Sequence, residues 1–175
     1  MPPSRADARV YFLFFASGFA SLADEVVWFK LLNLTFGVTT LATATLLAVF
    51  MGGLGLGSAW TGKRARVLRR PLFGYGIVEA GIGVFALATP VLFAGIDAAY
   101  VGAYRAAGGA PAALFAVRFV LAAAALLPPT VLMGASFPLL SRRMERDGSG
   151  AASGLLYAVN TAGAVAGAAL CGFWA

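Results

Sequence analysis

Apolar positions along this chain come in long unbroken runs separated by short polar breaks. About 20 apolar residues are needed to cross a hydrocarbon layer, and at that length five segments stand out: 10–29, 39–61, 72–96, 112–140 and 151–174. Leu, Ala, Val and Phe runs of this kind predict helices, because a membrane barrel would show alternating strands of about ten residues. The expected fold class is all-α integral membrane, a single transmembrane domain over 1–175 with five helices and no soluble catalytic domain.

The polar breaks set the expected direction. Arg5 and Arg9 precede the first span, Lys63, Arg64, Arg66, Arg69 and Arg70 lie between the second and third, and Arg142, Arg143 and Arg146 between the fourth and fifth. Lys30 and Arg105 fall on the other side, and Arg118 inside a span. Short cytoplasmic loops are the ones rich in Lys and Arg. The expectation is a multi-pass protein of the bacterial inner membrane with a cytoplasmic N-terminus. Trp28, Trp60 and Trp174 all fall at predicted span ends, where indole rings favour the interface. A cleavable signal peptide ending at "SLA" competes for the first segment. Against it, the apolar pattern resumes at Val26, and the basic alternation requires that segment to stay.

Composition agrees. The chain is 61% hydrophobic and 11% charged, with mean hydropathy +0.86, whereas soluble domains carry about 25% charged residues. The lone Cys171 excludes an internal disulfide and reads as a packing residue. With no histidine, the commonest general base and metal ligand are missing. No glycine cluster fits a phosphate-cradling motif. No metal, cofactor or catalytic residue is expected. The run "GKRARVLRR" resembles a nucleic-acid patch, but between two spans it reads as an anchor to anionic lipid, so the bilayer is the expected partner and nucleic acid is not.

Charges inside the spans carry the candidate chemistry. Arg9 to Lys30 covers roughly 31 Å of helix, so Lys30 snorkels to the surface. Asp24 and Glu25 lie roughly 8–9 Å deeper, where an acid costs about 2.5–3.5 kcal/mol at most. Arg118, seven residues into the fourth span, is expected at the same depth. Intramembrane charges pair or line a cavity, so Arg118 is predicted to bridge Glu25, Asp24 or both where the first and fourth spans meet. That arrangement serves either a solute or ion pathway or only helix register. Glu79 and Asn160 are predicted to share a depth and a hydrogen bond, as interhelical glue or with a proton-linked role for Glu79. Gly52, Gly53, Gly55 and Gly57, and the Gly163/Gly167 pair, predict close helix packing. Pro128 and Pro129 predict a kink.

Four stretches, "SGFASLADEVVWFKLL", "FMGGLGLGSAWTGKRARVLRRPL", "LPPTVLMGASFPLLSR" and "LYAVNTAGAVAGAALCGF", resemble the membrane domain of bacterial fused spermidine-synthase-like proteins. There a domain like the major facilitators precedes an aminopropyltransferase-like domain. The resemblance covers nearly the whole chain. It implies an incomplete six-helix half whose first and fourth helices line a central cavity. Two departures stand out: Asp24 replaces an expected Tyr, and neither a sixth helix nor the synthase domain follows, so synthase activity passes to no residue here and the chain is not expected to be an enzyme. The resemblance implies a transporter module for a small charged solute such as a polyamine, completed by a homodimer partner or a C-terminal half. The alternative is a non-transporting anchor or regulatory subunit for a synthase or other partner.

Overall fold

The structure, a computed structural model, describes residues 5–37, 40–65, 67–106, 108, 110–145 and 150–174. Arg66 and Arg146 lie outside them, as do the side chains of Arg5 and Trp174. The chain forms α1 (Arg5–Phe36), α2 (Thr40–Ala65), α3 (Pro71–Ala106), α4 (Pro111–Glu145) and α5 (Gly150–Trp174), and no strand occurs among the described residues. All five helices are long and apolar enough to cross a membrane. The all-α membrane class expected from the apolar runs is the one adopted.

Several helices outrun those apolar runs, and local chemistry explains where they stop. Pro71 and Pro111 open α3 and α4 as first helical residues, where a missing N–H costs nothing. The carbonyls of Arg70 and Ala110 just before them accept the first helical bonds, from Gly74 N and Leu114 N at 3.2 and 3.1 Å. After α1, Gly37 takes a φ of 80°, the left-handed conformation that ends a helix at little cost in glycine. α1 therefore continues to Phe36, two turns beyond the Phe29 limit set by the apolar count. α4 runs unbroken through Pro128, Pro129 and Pro138. Directly after the proline pair, Thr130 donates its hydroxyl to Leu126 O at 2.6 Å, and Leu127 O lies within 3.2 Å. This is the back-bond of a helical Thr to the preceding turn; the carbonyls that Pro128 and Pro129 leave without their helical donor are those of Ala124 and Ala125.

The helices pack as two groups. α1 lies along α5, while α2 and α3 both lie against α4; contact between the groups is sparse, and α1 barely touches α4. Glycines make the two tightest pairings. An added Cβ at Gly53 or Gly57 of α2 would strike Thr130 or Val131 of α4, and one at Gly134 would strike the Leu54 carbonyl. Likewise Gly163 and Gly167 of α5 press on the Phe15 and Phe19 carbonyls of α1. Because residues 15 and 19 match 163 and 167 in ascending order, α1 and α5 run parallel. The small-residue reading thus holds, with a refinement: Gly52 and Gly55 face open space.

Apolar packing fills the rest. Trp28, Leu32, Phe36, Phe50, Ile96, Tyr100 and Leu126 belong to one cluster, toward the end away from the basic loops. Phe14, Tyr75, Leu139, Leu140 and Leu156 belong to another, nearer those loops.

Candidate functional site

α1 presents polar residues on one face. Taking 3.6 residues per turn, Ser17, Ser21, Asp24, Glu25 and Trp28 fall within about 100° of arc. Ser17 and Trp28 on that arc are buried, and Ser21, Asp24 and Glu25 are half-buried. The stripe therefore faces the bundle, as a helix carrying acids through lipid requires.

The lower part of the stripe meets Glu79. Ser17 Oγ donates to Glu79 Oε1 at 2.7 Å, and Ser136 Oγ of α4 donates to the same oxygen at 3.1 Å. One carboxylate thus ties α1, α3 and α4 together. Tyr75, one turn nearer the basic end of α3, directs its hydroxyl to Leu13 O at 3.5 Å. Beside this node lies a cavity of about 130 Å³, lined by Ser17, Ser21, Ser136 and Asn160 together with apolar side chains that include Phe50 and Met133.

The expected Glu79–Asn160 bond does not form. Glu79 is bound by the two serines, whereas Asn160 Nδ2 donates to Phe14 O at 2.9 Å. The physical reason is the packing order. α5 lies behind α1, with Asn160 against Gly18, so its amide reaches the α1 backbone and not α3.

Nor does Arg118 reach the acids of α1. Its Nε and Nη2 donate to Tyr100 Oη at 3.0 and 2.7 Å, and Tyr100 stacks edge-on against Phe36 at 5.0 Å between ring centres. Ser17 and Ser136 are level because they share one acceptor atom. From that level Glu25 is eight residues along α1, roughly 12 Å, and Arg118 eighteen along α4, roughly 27 Å. The two are therefore roughly 15 Å apart in depth. The sequence estimate placed them together because it stopped α1 near residue 29. Arg142 to Arg118 spans roughly 36 Å of helix, more than the ~30 Å hydrocarbon layer, so Arg118 belongs at the far headgroup level. Asp24 and Glu25 make no ion pair or hydrogen bond among the described residues. A double-mutant cycle of Glu25→Gln with Arg118→Ala should accordingly give a coupling energy within about 0.5 kcal/mol of zero in detergent unfolding; more than about 1 kcal/mol would mean that the two side chains meet.

Trp28 departs from its expected interfacial place. It is buried, and its Nε1 donates to Thr89 Oγ1 at 3.0 Å, joining α1 to α3. Trp60 is exposed at the basic end with the Arg64 guanidinium 4.1 Å above its ring, a cation–π contact suited to an interface. Lys63, Arg64, Arg69 and Arg70 cluster at that same end. No group of three or more metal-ligating side chains occurs among the described residues.

Sequence reading missed Ser17 and Ser136. For Ser17 a signal existed: it precedes Asp24 by seven residues and Ser21 by four, a helical stripe. Ser136 gave none, since only the packing of α4 against α3 sets it opposite Glu79. Comparison with protein-family models, with curated proteins and with solved structures found no match for the chain.

Proposed function

We propose that this chain is the membrane module of a carrier for a small cationic solute. The observation behind it is the charge along the inward faces: Asp24, Glu25 and Glu79 lie within the layer, Lys30 is exposed further along α1 where it snorkels outward, and Arg118 bonds Tyr100 at the edge. Uncompensated acids at depth are costly and mark ion or solute paths. Two of these acids sit on the inward stripe of α1 and the third binds to that stripe through Ser17. Their levels differ by roughly 12 Å, close to the roughly 11 Å between the end nitrogens of an extended triamine built from ordinary single bonds. That spacing, and the resemblance to spermidine-synthase-fused membrane domains, support a polyamine as the solute. The basic loops support a bacterial inner-membrane location with a cytoplasmic N-terminus. Alternating access needs a second bundle, supplied in this reading by another copy or by a C-terminal half.

Uptake of radiolabelled putrescine and spermidine into proteoliposomes tests the reading. Wild type should show saturable uptake, and Asp24→Asn with Glu25→Gln should lose about tenfold or more, equivalent to about 1.4 kcal/mol, while still folded. Arg118→Ala should keep most of it. A wild type without flux for either amine rejects the carrier.

A second reading is a membrane anchor or regulatory subunit for a synthase. It is favoured by the size of the cavity, which at about 130 Å³ holds only about four waters and not an extended amine. Retention of a synthase on membranes containing the protein, without amine flux, would support it.

A further inference from the structure

We infer that the cavity between α1, α2, α4 and α5 is a binding site for a small monovalent cation, beside the Glu79 end of the amine path proposed above. The direction of its hydrogen bonds makes the cavity wall rich in acceptors. Ser17 Oγ and Ser136 Oγ both give their protons to Glu79 Oε1, at 2.7 and 3.1 Å. A hydroxyl that has spent its proton has only lone pairs left to offer. Asn160 spends an Nδ2 proton on Phe14 O at 2.9 Å, which leaves Oδ1 as its acceptor. Ser21, which also lines the cavity, makes no hydrogen bond among the described residues. Ser17, Ser136 and Ser21 can therefore turn lone pairs inward, and Asn160 brings its Oδ1 beside the one N–H that it keeps.

Such a wall suits a positive guest. Hard monovalent and divalent ions take oxygen ligands, and in carriers Na⁺ sits against oxygens of the helix backbone and side chains near the midplane. The negative charge that a buried cation requires is supplied by Glu79 through the two serine hydroxyls that it polarises. Divalent ions are disfavoured because Glu79 is the one carboxylate bonded to the lining, through Ser17 and Ser136. The volume of about 130 Å³ admits a Na⁺ ion with two or three waters, or one alkylammonium group. The site also lies between the two helix groups, with Ser17 and Asn160 from one and Ser136 from the other. Occupancy would hold the groups together. The assignment stands on the cavity itself and holds whether or not a solute is carried.

Binding of ²²Na⁺ to purified full-length protein in detergent tests it without any flux measurement. Wild type should bind saturably at one ion per chain, with choline failing to compete. Ser21→Ala removes an oxygen that no protein group uses, so the fold is kept, and it should weaken binding about tenfold, the value of one charge-assisted contact. Glu79→Gln should abolish binding, and Asp24→Asn should leave it unchanged. Methylammonium displacing ²²Na⁺ would identify an alkylammonium group as an equal occupant; its failure to do so would confine the site to the metal ion. Non-saturable binding, equal competition by choline, or full affinity in Ser21→Ala or Glu79→Gln would overturn the assignment.

Discussion

Gly57→Ala is expected to destabilise the protein in detergent by about 2 kcal/mol, while Gly52→Ala and Gly55→Ala, in the same helix, stabilise it by about 0.5–1 kcal/mol. The opposition follows from which way each glycine faces. A methyl group at Gly57 would overlap the Val131 carbonyl of α4, and backbone does not yield as a flexible side chain does. α2 and α4 must separate, at the roughly 1–3 kcal/mol typical of overpacking. Between helices in lipid this loss is not offset by a hydrophobic term, because close packing is itself the driving force. At Gly52 and Gly55 nothing lies within 4 Å, so alanine brings only its better helix propensity, about 1 kcal/mol. Denaturant or SDS unfolding of the three variants checks the sign as well as the size. Equal effects at all three positions would mean that α2 and α4 do not meet along Gly53 and Gly57.

Trp28→Ala should be the costliest side-chain truncation, at about 2–3 kcal/mol. In a water-soluble core the change costs roughly 3–5 kcal/mol, but here the exposed alternative is lipid, so part of the transfer energy vanishes while the cavity remains. Its bond to Thr89 adds an amount typical of interhelical contacts, about 0.6 kcal/mol. Trp28→Phe isolates that bond and should cost about 1 kcal/mol or less. Quenching by brominated lipid in a variant with Trp60→Phe and Trp174→Phe, which leaves Trp28 as the one indole, offers an independent check. A buried indole is shielded, and efficient quenching would place it outside the bundle, as the interfacial position expected from a predicted span end requires.

Crossings were legible in the sequence and levels were not. Apolar run length measures whether a helix spans, because the bilayer sets that length. Where each helix stops depends on end chemistry, such as Gly37 after Phe36 or Pro111 before α4, which the apolar count ignores. Two turns of error at the end of α1 placed Arg118 opposite Glu25. Glu79 was found as an intramembrane acid, yet its partners follow from which helix lies behind which. The glycines carried that information in part: the four-residue spacing of Gly163 and Gly167 marked a close neighbour without naming α1.

The parallel seating of α1 beside α5 constrains how the chain is made. Neighbours in sequence cross the membrane in opposite directions, so a parallel partner cannot arrive in the next hairpin. α1 emerges from the ribosome well over a hundred residues ahead of Gly163 and Gly167, an interval of roughly 10 s at ordinary elongation rates. Throughout it the Phe15, Gly18 and Phe19 side of α1 is in the bilayer without the helix that finally covers it. The acid stripe turns the other way, toward α3 through Ser17 and Trp28, so that side of α1 meets its partner two crossings before the glycine-lined side does.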